Sequence, residues 1–514
     1  MPDTLTLHET APVRWAKVVD QTRCIGCHAC STACKSENQV PIGVHRTYVK
    51  YVDVGRFPQA RRAFQVTRCN QCAEPPCVFA CPTSAMYQRP DGIVDFDKRV
   101  CIGCKACIAA CPYDAIFINP EDHSAEKCNF CAQRLDVGLE PACVVVCPTE
   151  AIVVGDLNDG TSRVSQTVGR DSVAVRRPEK ETRPKLFYKG AQQATLDPIA
   201  ARRPPGGLFM WSEQGSGPQQ VSSGHPGAPN NAAAAMLAYD VAHRAPWDFR
   251  VSLYTWTKGI AAGAYLVPAL LLLAGRLEPQ SVLWLWAAPV LGGAFLAATA
   301  GLLISDLSHP GRFYLVLTRP QWRSWLARGG AILSLYGVVM LLHFLAAFLG
   351  RTAWPQALLW AGLPLAVLSA IYTAWLFAQA KARDLWQSPL LPPQLLVQAI
   401  ASGAAALLLA AAFVEPAAVS PLSGIAAVAT LVHVLLVVGE ATITHATAHA
   451  RLAAREMTHG RYRLFFRSGI ALQALGLVAA LALPTGMLLA PLVLAGLLAY
   501  EHAFVQAGQA VPLA

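Results

Sequence analysis

Hydrophobic and polar positions divide the chain into unlike halves. From Trp247 onward, long apolar runs alternate with short polar loops, over 251–274, 282–304, 329–349, 357–379, 393–414, 422–443, 466–484 and 487–507. A helix needs about 20 apolar residues to cross the hydrocarbon of a bilayer. A soluble core could bury one such helix. Eight in succession predict an all-α membrane bundle over 247–514, its last two helices joined by the turn Pro484-Thr485-Gly486. Residues 1–155 lack these runs and read as a separate soluble domain. Between them, 156–246 is rich in Gly, Pro, Ser and Arg, as in Ala201-Arg-Arg-Pro-Pro-Gly-Gly207 and Gly215-Ser-Gly-Pro-Gln-Gln220. That composition cannot bury a core of its own, so the segment reads as an extended basic tail and linker laid over a partner.

Composition sharpens this picture. Hydrophobic residues make up 54% and charged residues 14% of the 514 residues, which excludes a disordered chain. Net charge is +10, and no basic run points to nucleic acid. The loops after the second, fourth and sixth apolar runs hold Arg312, Arg319, Arg323, Arg328, Lys381, Arg383, Arg451, Arg455, Arg461, Arg463 and Arg467. The loops on the other side hold only Arg276 and Arg351. Basic loops stay in the cytoplasm. Both termini share their side, so the first domain is expected at the cytoplasmic face of a bacterial or archaeal cytoplasmic membrane; the other reading is that these arginines dock the first domain and that a partner carries it across. The opening stretch, without an apolar h-region or a twin-arginine motif, agrees.

Chemistry enters with the cysteines. All 16 lie between Cys24 and Cys147, in four quartets. The first is Cys24, Cys27, Cys30 and Cys34; the second Cys69, Cys72, Cys77 and Cys81. The third is Cys101, Cys104, Cys107 and Cys111; the fourth Cys128, Cys131, Cys143 and Cys147. Disulfides in a secreted protein would not cluster this way. The first and third quartets have the C-x2-C-x2-C-x3-C spacing in which three close thiolates wrap one cubane and the fourth ligates its neighbour. Pro follows the last cysteine of the other three quartets, and Lys35 follows that of the first. Four thiolates per cluster give four [4Fe-4S] clusters with none left over. Zinc, the rival, prefers paired C-x2-C knuckles.

The phrases Cys101-Ile-Gly-Cys-Lys-Ala-Cys-Ile-Ala-Ala-Cys-Pro-Tyr-Asp-Ala115, Lys127-Cys-Asn-Phe-Cys131 and Gly138-Leu-Glu-Pro-Ala-Cys-Val-Val-Val-Cys-Pro-Thr149 carry a resemblance. Residues 18–155 resemble the four-cluster electron-transfer subunits of the dimethyl-sulfoxide-reductase superfamily, an α+β ferredoxin-like double repeat. The resemblance implies four ligand sets: Cys24, Cys27, Cys30 and Cys147; Cys34, Cys128, Cys131 and Cys143; Cys69, Cys72, Cys77 and Cys111; and Cys81, Cys101, Cys104 and Cys107. The apolar half resembles the polysulfide-reductase/NrfD-like membrane anchors, on Tyr239-Asp-Val-Ala-His243, Pro246-Trp247, Lys258-Gly-Ile-Ala-Ala-Gly263 and Asp306-Leu-Ser-His-Pro310. Such anchors bind quinone without haem and usually form separate subunits; here the two parts are fused.

Ionisable residues inside a membrane are costly and mark functional sites. Lys258, Asp306, His309 and Glu440 fall toward the cysteine-rich side and are the candidate ligands of a quinone, ubiquinone or menaquinone. His445, Glu501 and His502 share that side. Structural readings stand beside this one: Lys258 snorkelling to the interface, Asp306 capping a helix or pairing with Arg312, Glu440 pairing with Lys258, and Glu501 in an ion pair or a proton route. His343 and His433 read as hydrogen-bonded bundle residues. The Gly259-x3-Gly263 spacing reads as close helix packing. Together these features, with the resemblance, imply a multi-pass subunit relaying electrons between membrane quinone and a separate molybdopterin or tungstopterin catalytic subunit. Sulfite dehydrogenase chemistry, or sulfoxide, polysulfide or thiosulfate reduction, would then be that partner's. The other class of reading is a redox-driven proton-translocating module fed by another electron donor.

Overall fold

A computed structural model describes residues 12–55, 58–202, 235–482 and 487–514. The turn expected at 484–486 and most of the Gly/Pro-rich run after Arg202 lie outside the described residues. The first domain holds eleven described strands: β1 Trp15–Asp20, β2 Thr47–Val54, β3 Arg61–Arg68, β4 Met86–Gln88, β5 Val94–Phe96, β6 Ile116–Ile118, β7 Ala125–Lys127, β8 Ile152–Asp156, β9 Val173–Ala174, β10 Leu186–Lys189 and β11 Ala235–Tyr239. A double repeat is visible in its middle. The helix Pro76–Ala80 runs into Cys81-Pro82 and the hairpin β4–β5; the helix Ala106–Ala110 runs into Cys111-Pro112 and the hairpin β6–β7. Each Pro follows the last helical residue by two positions, where it cannot continue the helix.

The segment from 156 to 246, expected as a tail over a partner, lies in its described parts on the chain's own iron–sulfur domain. Strand β10 runs parallel to β1, with β8 antiparallel on the other side, in the order β8-β1-β10-β9. Strand β11 extends the β2–β3 hairpin into a three-stranded sheet. Leu186 and Tyr188 on β10 point inward and pack with Val19, Cys30 and Cys143. Alternation over only four residues among Gly and Pro is too short to announce a strand, and its partner β1 is remote in sequence.

Among the described residues, eight helices long and apolar enough to span a membrane follow: Phe249–Leu273, Leu283–Asp306, Trp325–Phe348, Ala353–Ala378, Leu391–Val414, Pro416–Thr442, Arg463–Ala482 and Leu489–Ala510. The second opens on one π-helical turn, Leu283–Ala287. Helices one to four pack as one group and five to eight as another. The first, fifth and eighth are the most enclosed, with 78%, 67% and 61% of their apolar windows buried, so they form the seam. At that seam Gly263 and Gly403 let two backbones touch: a Cβ on Gly263 would lie 1.8 Å from the Ala399 carbonyl oxygen. An amphipathic helix, Ala448–Thr458, which apolar-run length did not reveal, lies in the loop before the seventh membrane helix.

Candidate functional site

Thiols come together in groups that the chain's linear order does not show. Cys24 has the thiols of Cys147 and Cys27 as neighbours. Cys34 faces Cys128, Cys143 and Cys131. Cys77 faces Cys69, Cys111 and Cys72. Cys104 faces Cys81 and Cys101, and Cys107 faces all three. The groups touch in sequence: Cys30 neighbours Cys143, Cys69 neighbours Cys128, and Cys77 neighbours Cys107. They form one line, from the exposed Cys27 to the buried Cys107.

These residues fit iron–sulfur clusters. All sixteen thiols are free of disulfides. Thiols of the Cys81 group line one small cavity, and those of the Cys34 group another. Burial pushes Cys30 up to about 11 and Cys34 and Cys72 up to about 12, so a cationic iron core is what would hold them as thiolates. Cys143 is the exception. Burial raises it, but Arg68 and Lys17 outweigh burial and bring it to about 7. Among the described residues no three His, Cys, Asp or Glu side chains converge on a single metal ion; a zinc ion needs its thiolates at about 2.3 Å.

The far end of the line rests on the membrane helices. Trp247 donates its indole N–H to the Cys104 carbonyl at 3.2 Å. Lys105, between two cysteines of that group, reaches Asp306 Oδ1 at 2.9 Å. Arg312 donates to the carbonyls of Lys98 and Cys101, each at 2.9 Å. Ser308 N–H donates to the Gly103 carbonyl at 3.3 Å. Gly103 has φ +69°, and a Cβ there would lie 2.4 Å from Ser308 Cβ, so only glycine lets the loop approach. Ser324 Oγ donates to the Ala80 carbonyl at 2.8 Å.

The four candidate quinone residues are not one cluster. Asp306 pairs with Lys105 rather than Arg312. His309 lies at the domain junction, its Nε2 3.3 Å from Ser124 Oγ and its ring edge-on to His123. Burial and Arg312 hold its imidazole below the ordinary value. Glu440 is buried near the end of the sixth helix, one oxygen without a hydrogen-bond partner. Lys258 is fully enclosed, donating to the Ala370 carbonyl at 2.7 Å and Thr373 Oγ1 at 2.8 Å, with Nζ 5.0 Å from the Tyr372 ring centre. Its 1% exposure excludes snorkelling. Lys258 lines a small cavity together with Glu501, Thr255, Gln398 and Ser402. Thr255 donates to Glu501 at 3.1 Å. Depth along the helices marked Glu501 as ionisable; it could not show that the eighth helix aims it at Lys258.

Two sequence residues gain partners that spacing did not show. His243, just before the first membrane helix, sits between Asp114 at 2.5 Å and Asp240 at 3.1 Å. Burial would lower it, but the two carboxylates raise it to about 10. His433 donates from Nδ1 to Gln473 Oε1 at 2.8 Å and accepts from Gln398 at 3.1 Å.

Comparison with known proteins agrees with this division. The profile of a 4Fe-4S dicluster domain matches residues 61–157, and that of polysulphide reductase, NrfD, matches 239–513. A tetrathionate reductase subunit from Salmonella typhimurium is 43% identical over 211 residues, 40% of this chain and 83% of the relative. A polysulfide reductase component from Wolinella succinogenes is 41% identical over 177 residues, 34% of this chain and 93% of the relative. The thiosulfate reductase electron transfer subunit PhsB of Salmonella typhi is 46% identical over 157 residues, 30% of this chain and 81% of the relative. The NrfD profile covers more than half of the chain, which therefore belongs to the polysulphide reductase NrfD family, with an iron–sulfur domain joined to its membrane helices in one polypeptide.

Proposed function

We propose that this chain is the electron-transfer and membrane-anchor subunit of a quinone-linked reductase complex acting on inorganic sulfur compounds. Its substrate site is on a separate molybdopterin or tungstopterin subunit. The observation that carries the reading is the unbroken line of thiol groups from exposed Cys27 to the Cys104 group seated on Trp247 and Asp306. The sulfur class rests on relatives named for tetrathionate, polysulfide and thiosulfate.

The four sets given above would hold four [4Fe-4S] clusters, which would supply one-electron transfer. The chain's own part is to space them, exclude water and seat the last one on the membrane. Quinone enters beside that last cluster, where the Lys258–Glu501 cavity offers a cation and a carboxylate for its oxygens and protons. The domain faces the cytoplasm. Arg312 and Arg323 are engaged in docking, Arg323 over Phe79 at 5.4 Å, and Arg383 donates to the Gln509 carbonyl within the bundle, yet the remaining basic loop residues still outnumber those of the other face.

Mild-detergent purification with metal analysis tests this. About sixteen irons per chain, four per cubane, with molybdenum or tungsten in a large co-purifying subunit and quinone-dependent turnover, is the expected result. Zinc without iron would overturn it.

A second reading, proton movement coupled to redox, is favoured by one observation. Gln398 lines the Lys258–Glu501 cavity and also donates to His433, extending a polar line into the sixth helix. A complex in sealed vesicles that builds membrane potential during turnover would select it over electroneutral transfer.

A further inference from the structure

Two buried cations lie in the iron–sulfur domain without a carboxylate among the described residues. Arg68, at the end of β3, is 2% exposed and donates from Nη1 to Cys143 Sγ at 2.9 Å. Its Nε and Nη2 have no hydrogen-bond partner. Lys17, on β1, is 1% exposed; its Nζ lies 3.7 Å from the same sulfur and 4.0 Å from the Phe130 ring centre. Asn38 adds amide N–H groups 3.7 Å from the sulfurs of Cys34 and Cys131. A buried charge left unpaired is strongly destabilising. These two therefore need an anion, and among the described residues the thiols around them, once ionised, supply it.

The other groups are furnished differently. Cys81 and Cys101 receive backbone N–H groups, from Met86 and Ala125, each at 3.4 Å. Their nearby cation, Lys105, is neutralised by Asp306 at 2.9 Å. The Cys69 group has buried Lys127 as a neighbour, but its Nζ donates to the carbonyls of Val94 and Cys128 rather than to sulfur. Among the described residues, only the Cys34 group has cations bonded to its sulfur.

We propose that Arg68 and Lys17 set the redox order of the relay, making the cluster held by Cys34, Cys128, Cys131 and Cys143 the most easily reduced of the four. This rests on the four-cluster reading above. Four thiolates outweigh the charge of the iron core, so the cluster is anionic and gains one further negative charge when it takes one electron. No bond forms and no proton is needed. A fixed cation in a dry, low-dielectric site stabilises the reduced form more than the oxidised one. Net charge and hydrogen bonds to sulfur are the recognised levers on such potentials. Arg68 also neighbours Cys30 of the outermost group, so it acts on two successive clusters, whereas Lys17 acts on one. Electrons then collect one step in from the exposed end.

The test is an EPR-monitored redox titration of the full chain, purified with its iron, as wild type and as Arg68→Gln, Arg68→Lys and Lys17→Gln. In Arg68→Gln the most positive wave moves down far enough to lower the reduced-to-oxidised ratio at least tenfold at fixed potential, 59 mV for one electron. Lys17→Gln moves the same wave in the same direction. Arg68→Lys restores most of the shift, and the wave of the Cys104 cluster stays in place in all three. Glutamine variants with full iron and unmoved waves would overturn the proposal, and so would loss of iron from both, which makes the side chains parts of the fold instead. An unaltered chain without iron would sink the cluster reading itself, and metal analysis reports that separately.

Discussion

Lys105 and Asp306 tie the iron–sulfur domain to the membrane bundle. Lys105 Nζ lies 2.9 Å from Asp306 Oδ1 and 3.0 Å from its carbonyl oxygen, with the lysine between two cysteines of the last group and the aspartate at the end of the second membrane helix. The side chains are 19% and 9% exposed, so the bond is largely shielded from water and from salt.

That bond predicts a coupled pair. Lys105→Met or Asp306→Asn alone should cost about 1.5–3 kcal/mol, the usual worth of a charged hydrogen bond. The double variant should cost clearly less than the sum, as residues in contact do. Thermal unfolding of the detergent-solubilised chain in a double-mutant cycle measures it. Additive losses would show that the pair does not join the halves.

The membrane cavity makes a second prediction, on activity. Lys258→Met and Glu501→Gln should each lower quinone-dependent turnover at least tenfold while iron content and dye-linked turnover of the assembled complex hold. His309→Gln, at the domain junction and outside the cavity, should leave quinone turnover within about twofold. Equal loss in all three would remove the cavity from the quinone reading.

Stability should also respond to pH through His243. Its imidazole lies between Asp114 and Asp240 and is raised to about 10. A raised pKa means that the fold favours the charged ring. This contribution is complete below about 6.5, the ordinary value, and is lost as pH climbs toward 10. Wild type should therefore lose about 1.5–3 kcal/mol between pH 7 and 10 that His243→Gln does not lose. Melting curves across that range decide it.

Helix packing gives a sharper contrast. A Cβ on Gly263 or Gly403 would meet backbone, at 1.8 Å and 2.1 Å, while one on Gly259 would meet Ser402 Oγ at 3.3 Å and the Ala399 Cα at an ordinary 3.9 Å. Gly263→Ala and Gly403→Ala should prevent accumulation of folded protein, since two backbones must separate. Gly259→Ala should be tolerated at a cost under about 1 kcal/mol. Size-exclusion profiles of the three variants compare them directly.

Ligand sharing can be read from spectra. Cys34→Ser and Cys143→Ser should alter the same cluster signal, and Cys30→Ser a different one, although Cys30 and Cys34 are neighbours on one helix. A common signal for Cys30 and Cys34 would refute the crossed sets.

Much of this protein was legible along the chain. Apolar length alone placed all eight membrane helices, because a bilayer imposes a minimum span on each, independently of the others. The ends differ by a few residues: the helix expected over 357–379 begins at Ala353, and the one over 422–443 at Pro416. Thiol spacing placed the metal chemistry, because ligands on one tight loop must be close in sequence. The strand Leu186–Lys189 escaped, since four residues carry too little pattern and their partner strand lies at Trp15–Asp20.

What only the tertiary structure decided is which distant residues meet. Asp306 could have capped its helix or paired with Arg312; packing of the last cysteine group gave it Lys105 and gave Arg312 two carbonyls. Lys258 could have reached water; the close crossing at Gly263 and the eighth helix enclosed it beside Glu501. Arg68 precedes Cys69 in the chain, and the fold set it on a sulfur from a remote quartet. Spans and ligand spacings are local demands that a sequence must meet by itself. Ion pairs across elements depend on how whole helices and strands settle against one another, and no single stretch of sequence carries that.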